Sequence, residues 1–392
     1  MPQWRTMKRI DFLFFDAGGG HRAAANALHE VIKRQGSPFD VRIVNLQEVL
    51  DSVDVIRKLT GLRSQDLYNL LLKKGWTLGS GQMARGMHVI LRIFHRQSVK
   101  ALEKHWRESR PDMVVSLVPN LNRAIYFSLR RTLPGVPMVV ILTDLADYPP
   151  HFWMERQLNH VICPTEKAVQ QARALSYAED YIHRVSGVIL NPAFYDAKPL
   201  TPDERAAALK ELGLDPQKPV GLVLFGGQGA SVMLSIARRL PDRQLILICG
   251  HNAKLRAALQ ALPHPAPIFV EGFTKNIPHY MQLANYLIGK PGPGSVSEAV
   301  AMHLPVIVVR NAFTLPQERY NADWIRENSL GIVLKSFRNI APAVDSLLEP
   351  GILTGYQAAT QRMQNRAVFE IPEILDEILS RTPEQIQDPV LT

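Results

Sequence analysis

Three stretches of the chain place glycines directly after an apolar run and directly before a helical pattern. They are Asp16-Ala-Gly18-Gly19-Gly20-His21, Phe225-Gly226-Gly227-Gln228-Gly229 and Lys290-Pro-Gly292-Pro-Gly294-Ser295. Without Cβ atoms the backbone turns sharply and a ligand can approach it closely, and the free N–H groups of the helix that follows suit an anion. His21 adds a titratable group. At or just before the first turn of its helix, where the positive helix end lowers an imidazole pKa, it reads as a neutral ring able to take a proton. A tight structural turn with His21 as a polar cap accounts equally well for that stretch alone, because its spacing is not the G-x-G-x-x-G of a dinucleotide fold. The second turn suits a phosphate or a plain connection. The third presents amides of Gly292, Gly294 and Ser295 in an arrangement suited to a diphosphate. Its Glu298 either closes a Ser295-x-x-Glu298 capping box or grips a ribose diol beside the phosphates.

These turns need strands and helices to carry them. Apolar runs such as DFLFF, DVRIVNL, DMVVSLV, PMVVILTD and HVICP, then VGLVLFGG, QLILICG, PIFVEGF, YLIGK and PVIVVR, alternate with amphipathic stretches. Buried parallel strands read this way, so the fold class is α/β with doubly wound sheets. After His21 the residues Ala24, Ala27, Leu28, Val31 and Ile32 share one helical face. The pattern pauses and restarts, which predicts an N-terminal domain over 1–195, a linker over 196–218 with one short helix in TPDERAAALKELG, a C-terminal domain over 219–355 and a helical tail over 356–392.

Composition excludes several function classes. Two cysteines in 392 residues, Cys163 and Cys249, supply no disulfide framework and no metal cluster, and a reducing compartment is expected. The apolar runs are too short for a membrane span, which predicts a cytoplasmic protein, soluble or peripheral. Residues 1–200 carry 27 Lys and Arg against 18 Asp and Glu, whereas 201–392 carry 18 of each, so the whole net charge of +9 lies in the first half. Residues 51–100 alone hold 9 basic and 3 acidic groups, a concentration that wants an anionic partner. No aromatic-basic motif accompanies it, which argues against nucleic acid.

The stretches DAGGGHRAAANAL, LTDLADYPPHFW, LFGGQGA, CGHNAKL, EGFTKNIPHYMQLANYLIGKPGPGSVSEAVAMHLPVIVV and PQERYNADWI, in this order, resemble the monogalactosyldiacylglycerol synthase and processive diacylglycerol glucosyltransferase family over roughly residues 8–335. That family is related to the transferase that adds N-acetylglucosamine to lipid I. The resemblance implies a GT-B fold: two Rossmann-like domains facing across a cleft, with the lipid acceptor on the first and the UDP-sugar on the second. It also implies inverting, metal-independent transfer without a cofactor. The chain independently lacks any D-x-D pair to hold a metal on the diphosphate, so helix N-termini and glycine-loop amides must stabilise the leaving group.

Carried over by position, the resemblance makes Gly226, Gly227, Gln228 and Gly229 the diphosphate-facing loop, and sets Gly272 and Phe273 at the uracil edge. Gly292, Gly294 and Ser295 complete the phosphate site, and Glu298 falls on the ribose. Gln317 and Glu318, with Asn321 in the same loop, fall on the sugar hydroxyls. His251 stands where relatives often carry arginine, and Ala17 where threonine is usual. His21 becomes the base for the acceptor hydroxyl, beside Gly18, Gly19 and Gly20. Asp144, at a strand end, is an alternative base or the group that orients His21; Asp147, His151 and Trp153 would shape the acceptor pocket. A lipid acceptor also tips the reading of residues 83–106. Met83, Met87, Ile90, Leu91, Phe94, Leu102 and Trp106 lie near one helical face with Arg85, Arg92, Arg96, Lys100 and Lys104 around it. The alternatives are an interfacial helix on an anionic leaflet and a core helix with a solvated basic face; a lipid acceptor favours the interfacial one. The expected activity is hexose transfer from a UDP-sugar to diacylglycerol on the inner face of the cell membrane. Another lipid-linked or lipopolysaccharide acceptor, or a non-catalytic nucleotide-sugar-binding protein, are the competing readings.

Overall fold

The computed structural model of the protein describes residues 7–16, 20–50 and 95–381. Gly18, Gly19, Arg85, Arg92 and Phe94 lie outside the described residues. The chain divides into two compact units, one formed from residues 1–192 and 366–392 and the other from 193–365.

In the first unit, β1 (Lys8–Phe14), β2 (Phe39–Asn45), β3 (Met113–Ser116), β4 (Met138–Ile141), β5 (His160–Cys163) and β6 (Ile182–Arg184) form one parallel sheet in the order β2-β1-β3-β4-β5-β6. The strand order reverses between β1 and β3. Strands β3, β4 and β5 are buried along their whole length, as their uninterrupted apolar runs require in a sheet covered on both faces. The helix Gly20–Arg34 buries Ala24, Ala27, Leu28, Val31 and Ile32, the face expected from their spacing, together with Ala25. Helix Ala367–Ser380 packs against it, so the C-terminal helix completes the N-terminal unit.

In the second unit, β7 (Val220–Leu224), β8 (Gln244–Ile248), β9 (Ile268–Glu271), β10 (Tyr286–Gly289), β11 (Val306–Val309) and β12 (Gly331–Leu334) form a parallel sheet in the order β12-β11-β10-β7-β8-β9. This is the Rossmann strand order, with its switch point between β7 and β10. Helix Pro202–Glu211, the short helix expected in this segment, opens with a capping box, Thr201 and Glu204 bonding reciprocally at its start. Its Leu209 is fully buried in the second core, so this part of the segment read as linker packs as part of the second unit.

The helix His95–Ser109 corrects the interfacial reading of its own residues. Leu102 and Trp106, placed on the membrane face by their spacing, are fully buried in the first core. The Trp106 indole donates to Ser128 Oγ at 2.8 Å. Arg96 and Lys100 stay exposed on the other side, so here the arrangement is a core helix with a solvated basic face. Trp106→Ala is expected to cost about 3–5 kcal/mol, by cavity formation and the loss of the indole's bond to Ser128. Urea unfolding of the first unit checks it.

Candidate functional site

The first unit gathers its candidate chemistry at the carboxyl end of its sheet. His21 lies in the first turn of Gly20–Arg34, beside the switch point, and Thr143 follows β4. Thr143 Oγ1 stands 3.1 Å from His21 Nδ1, and the ring also hydrogen-bonds the backbone of Leu117, just past β3. Burial pushes the imidazole pKa down to about 4, against the opposing pull of the Leu117 bond. The neutral ring expected from the helix end is therefore present, and desolvation is its leading cause.

Asp144 is 7% exposed and accepts from the indole Nε1 of Trp153 at 2.9 Å. Trp153 is itself 1% exposed, and its ring centroid lies 5.8 Å from that of His21. It is therefore a wall of the site and a strut for Asp144, too deep to touch an acceptor through its ring. Asp147 organises the same loop. Its Oδ1 accepts from Trp153 N at 2.6 Å and its Oδ2 from His151 N at 3.1 Å, while burial raises its pKa to about 6. Asn122 Nδ2 clasps the Trp153 carbonyl at 2.9 Å. The partner of His21 found here, Thr143, escaped sequence reasoning. Its only signal was its place at the end of an apolar strand, where sites gather in open α/β sheets.

In the second unit the two remaining glycine turns flank the switch point, one after β7 and the other after β10. Gly229 has φ +58°, and a Cβ there would lie 2.6 Å from the Cys249 carbonyl oxygen. Gly250 also has φ +58°, and a Cβ there would fall 2.2 Å from the Gly227 oxygen, the acceptor for His251 N at 2.8 Å. The loops after β7 and β8 are thus knitted together through backbone that excludes side chains. Asn252 Nδ2 adds a bond to the Gln228 carbonyl at 3.4 Å. Gly250→Ala is expected to leave the fold intact and weaken nucleotide binding at least tenfold, by pushing Gly227 out of place; calorimetric titration with UDP checks this.

At the ends of β8 and β9, the exposed imidazole of His251 stacks on the Phe273 ring, centroids 4.1 Å apart and planes 16° off parallel. Phe273 is 53% exposed, so this pair offers a flat aromatic surface. Glu271 steadies the adjacent backbone, accepting from Gly272 N at 2.7 Å and the Tyr280 hydroxyl at 3.1 Å.

Helix Pro293–Ala301 has Gly292 as its N-cap, with no side-chain cap. Ser295 is then the third helical residue and the Ser295–Glu298 capping box does not form. The Glu298 carboxyl is left partly buried with no hydrogen-bond partner among the described residues, and desolvation raises its pKa to about 7. Glu318 is 7% exposed, and its Oε1 lies 2.7 Å from Lys290 Nζ. Gln317 lies with it in a short 3-10 turn. Asn321 is fully buried and its Nδ2 donates to the Pro291 carbonyl at 2.8 Å, which makes it an anchor for the glycine loop rather than a surface open to a sugar. Sequence reasoning passed over Lys290 because its partner is distant in sequence. No group of three or more His, Cys, Asp or Glu side chains able to hold a metal occurs among the described residues.

The likeness to known proteins follows the same division. Residues 21–184 match the monogalactosyldiacylglycerol (MGDG) synthase family, and residues 221–374 match the glycosyltransferase family 28 C-terminal domain. A probable monogalactosyldiacylglycerol synthase 3, chloroplastic, of Oryza sativa subsp. japonica is 29% identical over 389 residues, covering 95% of this chain and 74% of the relative. The chloroplastic monogalactosyldiacylglycerol synthase of Spinacia oleracea is 28% identical over 397 residues, covering 95% and 73%. Among solved structures, Acinetobacter baumannii MurG superposes with a TM-score of 0.60 at 13% identity, covering 94% of this chain and 99% of that one. The calicheamicin glycosyltransferase CalG4 gives a TM-score of 0.60 at 16% identity, covering 95% and 97%. The sheets, the switch-point loops and both family matches agree: the chain is a UDP-sugar glycosyltransferase of GT-B fold, related to the monogalactosyldiacylglycerol synthases.

Proposed function

We propose that the protein transfers a hexose from a UDP-sugar to the free hydroxyl of diacylglycerol at a membrane surface, with inversion and without a metal ion. The observation that carries this reading is His21, a neutral imidazole on a strand-to-helix turn within the half of the chain that matches the MGDG synthases. In this scheme the second unit holds UDP. The His251–Phe273 surface lies against the base and Glu298 takes the ribose hydroxyls, while the loops at 226–229 and 292–295 cradle the diphosphate. The neutral imidazole of His21 removes the acceptor hydroxyl proton as that oxygen attacks the anomeric carbon. The C–O bond to UDP breaks on the opposite face, and the diphosphate carries away the electron pair.

No helix among the described residues is long and apolar enough to cross a membrane. Access to a lipid hydroxyl then calls for a peripheral contact, and the basic excess of residues 51–100 supports an anionic leaflet, on the cytoplasmic face of the cell membrane. The test supplies UDP-galactose or UDP-glucose, labelled in the sugar, to vesicles with and without diacylglycerol, in the presence of EDTA. A β-linked glycolipid formed only with diacylglycerol, and undiminished by the chelator, supports the reading. Label in lipid regardless of diacylglycerol would assign a different acceptor.

A further inference from the structure

We propose that Lys290 is the phosphate-binding cation of the donor site, and that its ion pair with Glu318 is a resting lock opened by an arriving nucleoside diphosphate. The ammonium passes to the phosphates and the Glu318 carboxylate is released to face the sugar. This deepens, and rests on, the donor-site reading above.

Lys290 is the first residue past β10, and Gly292, two residues on, caps the helix Pro293–Ala301. A Cβ built on Gly292 would lie 3.3 Å from Lys290 Cε, 3.7 Å from its Nζ and 3.6 Å from Glu318 Oε1. Both charges of the pair therefore sit against the start of this helix, in space left by the missing side chain. The pair is unequal. The Lys290 side chain is 41% exposed and that of Glu318 is 9% exposed, so the cation already reaches solvent while the carboxylate depends on it.

The surroundings separate a fixed part from a movable one. Asn321 pins the loop through the Pro291 carbonyl at 2.8 Å, and its fully buried Oδ1 has no partner among the described residues. Lys290 holds the loop only through the end of a flexible four-carbon chain. The helix start has no side-chain cap, which leaves its first-turn amides to an anion. A diphosphate carries more charge than one carboxylate and also gains the helix end, so it outcompetes Glu318 for the ammonium.

Calorimetric titration of UDP, and of uridine as the phosphate-free control, into the wild type, Lys290→Met, Glu318→Gln and the double variant tests the proposal. Lys290→Met is expected to weaken UDP binding about 10- to 100-fold and to leave uridine binding unchanged. The double variant, which buries no unpaired charge, is expected to remain equally weak. Glu318→Gln alone should bind UDP at least as tightly as the wild type while its kcat falls. If Lys290→Met binds UDP like the wild type, or if the double variant regains wild-type affinity, Lys290 serves only to neutralise Glu318 and the proposal is wrong. A wild type that binds neither UDP nor uridine would remove the donor-site reading itself, a result distinct from either.

Discussion

His21→Ala is expected to lower kcat by about 10²–10⁴-fold while leaving UDP binding unchanged. The imidazole lies in the first unit, within a web of groups that each have another task. Thr143 meets its Nδ1, Trp153 walls it, and Asp144 is bonded to that tryptophan. With its pKa held at about 4, the ring is unprotonated throughout the neutral range, so no activation by rising pH through 6–7 is expected from His21 itself. Initial rates against pH, with UDP affinity measured in parallel, check both statements. A substantial loss of UDP affinity in His21→Ala would move the residue from acceptor activation to donor binding.

Glu298→Gln is expected to weaken UDP binding by about tenfold or more and, unusually, to stabilise the unliganded protein at alkaline pH. In the proposed donor site Glu298 binds the ribose hydroxyls as a carboxylate, and glutamine offers them a weaker, neutral acceptor. The stability gain follows from proton linkage. The folded carboxyl keeps its proton to about pH 7, whereas the unfolded one releases it near 4.5. Between those values the folded chain binds more protons, so stability declines as pH rises from 4.5 to 7 and stays low above. Glutamine has no charge to desolvate and removes that decline, a gain of about 1–2 kcal/mol at pH 8. Urea unfolding of both proteins at pH 5 and pH 8 measures it. Equal stability differences at the two pH values would show that Glu298 is not held protonated, and binding of a diphosphate lacking ribose should be insensitive to the change.

The central strands were legible in the sequence because continuous apolar runs such as MVVS and VIVV belong in a sheet covered on both faces, and the edge strands Phe39–Asn45 and Ile268–Glu271 were legible through shorter apolar runs of their own. The two strands that were not, Ile182–Arg184 and Gly331–Leu334, are sheet edges, one only three residues long and the other mostly half-buried. Periodicity also failed to say what covers an apolar face. It grouped Leu102 and Trp106 correctly on one side of a helix, and only the packed core shows that the face meets protein. The start of the helix at Pro293 could have been found, since Gly at the cap and Pro at the first helical position is a start signal. That register alone removes the capping box and leaves the Glu298 carboxyl without a partner among the described residues. Contacts such as Thr143–His21 and Lys290–Glu318 join residues far apart in sequence, and only the packing of strand ends brings them together.

Transfer to lipid depends on acceptor chemistry at His21. The most direct measurement is the initial rate of labelled hexose transfer into lipid as the diacylglycerol content of anionic vesicles is raised, for the wild type and His21→Ala at saturating UDP-sugar. The expected result is a wild-type rate that rises from zero and saturates with diacylglycerol, a variant rate at least a hundredfold lower, and the same UDP affinity in both. A wild-type rate indifferent to diacylglycerol, or a variant that keeps its rate, would contradict the account.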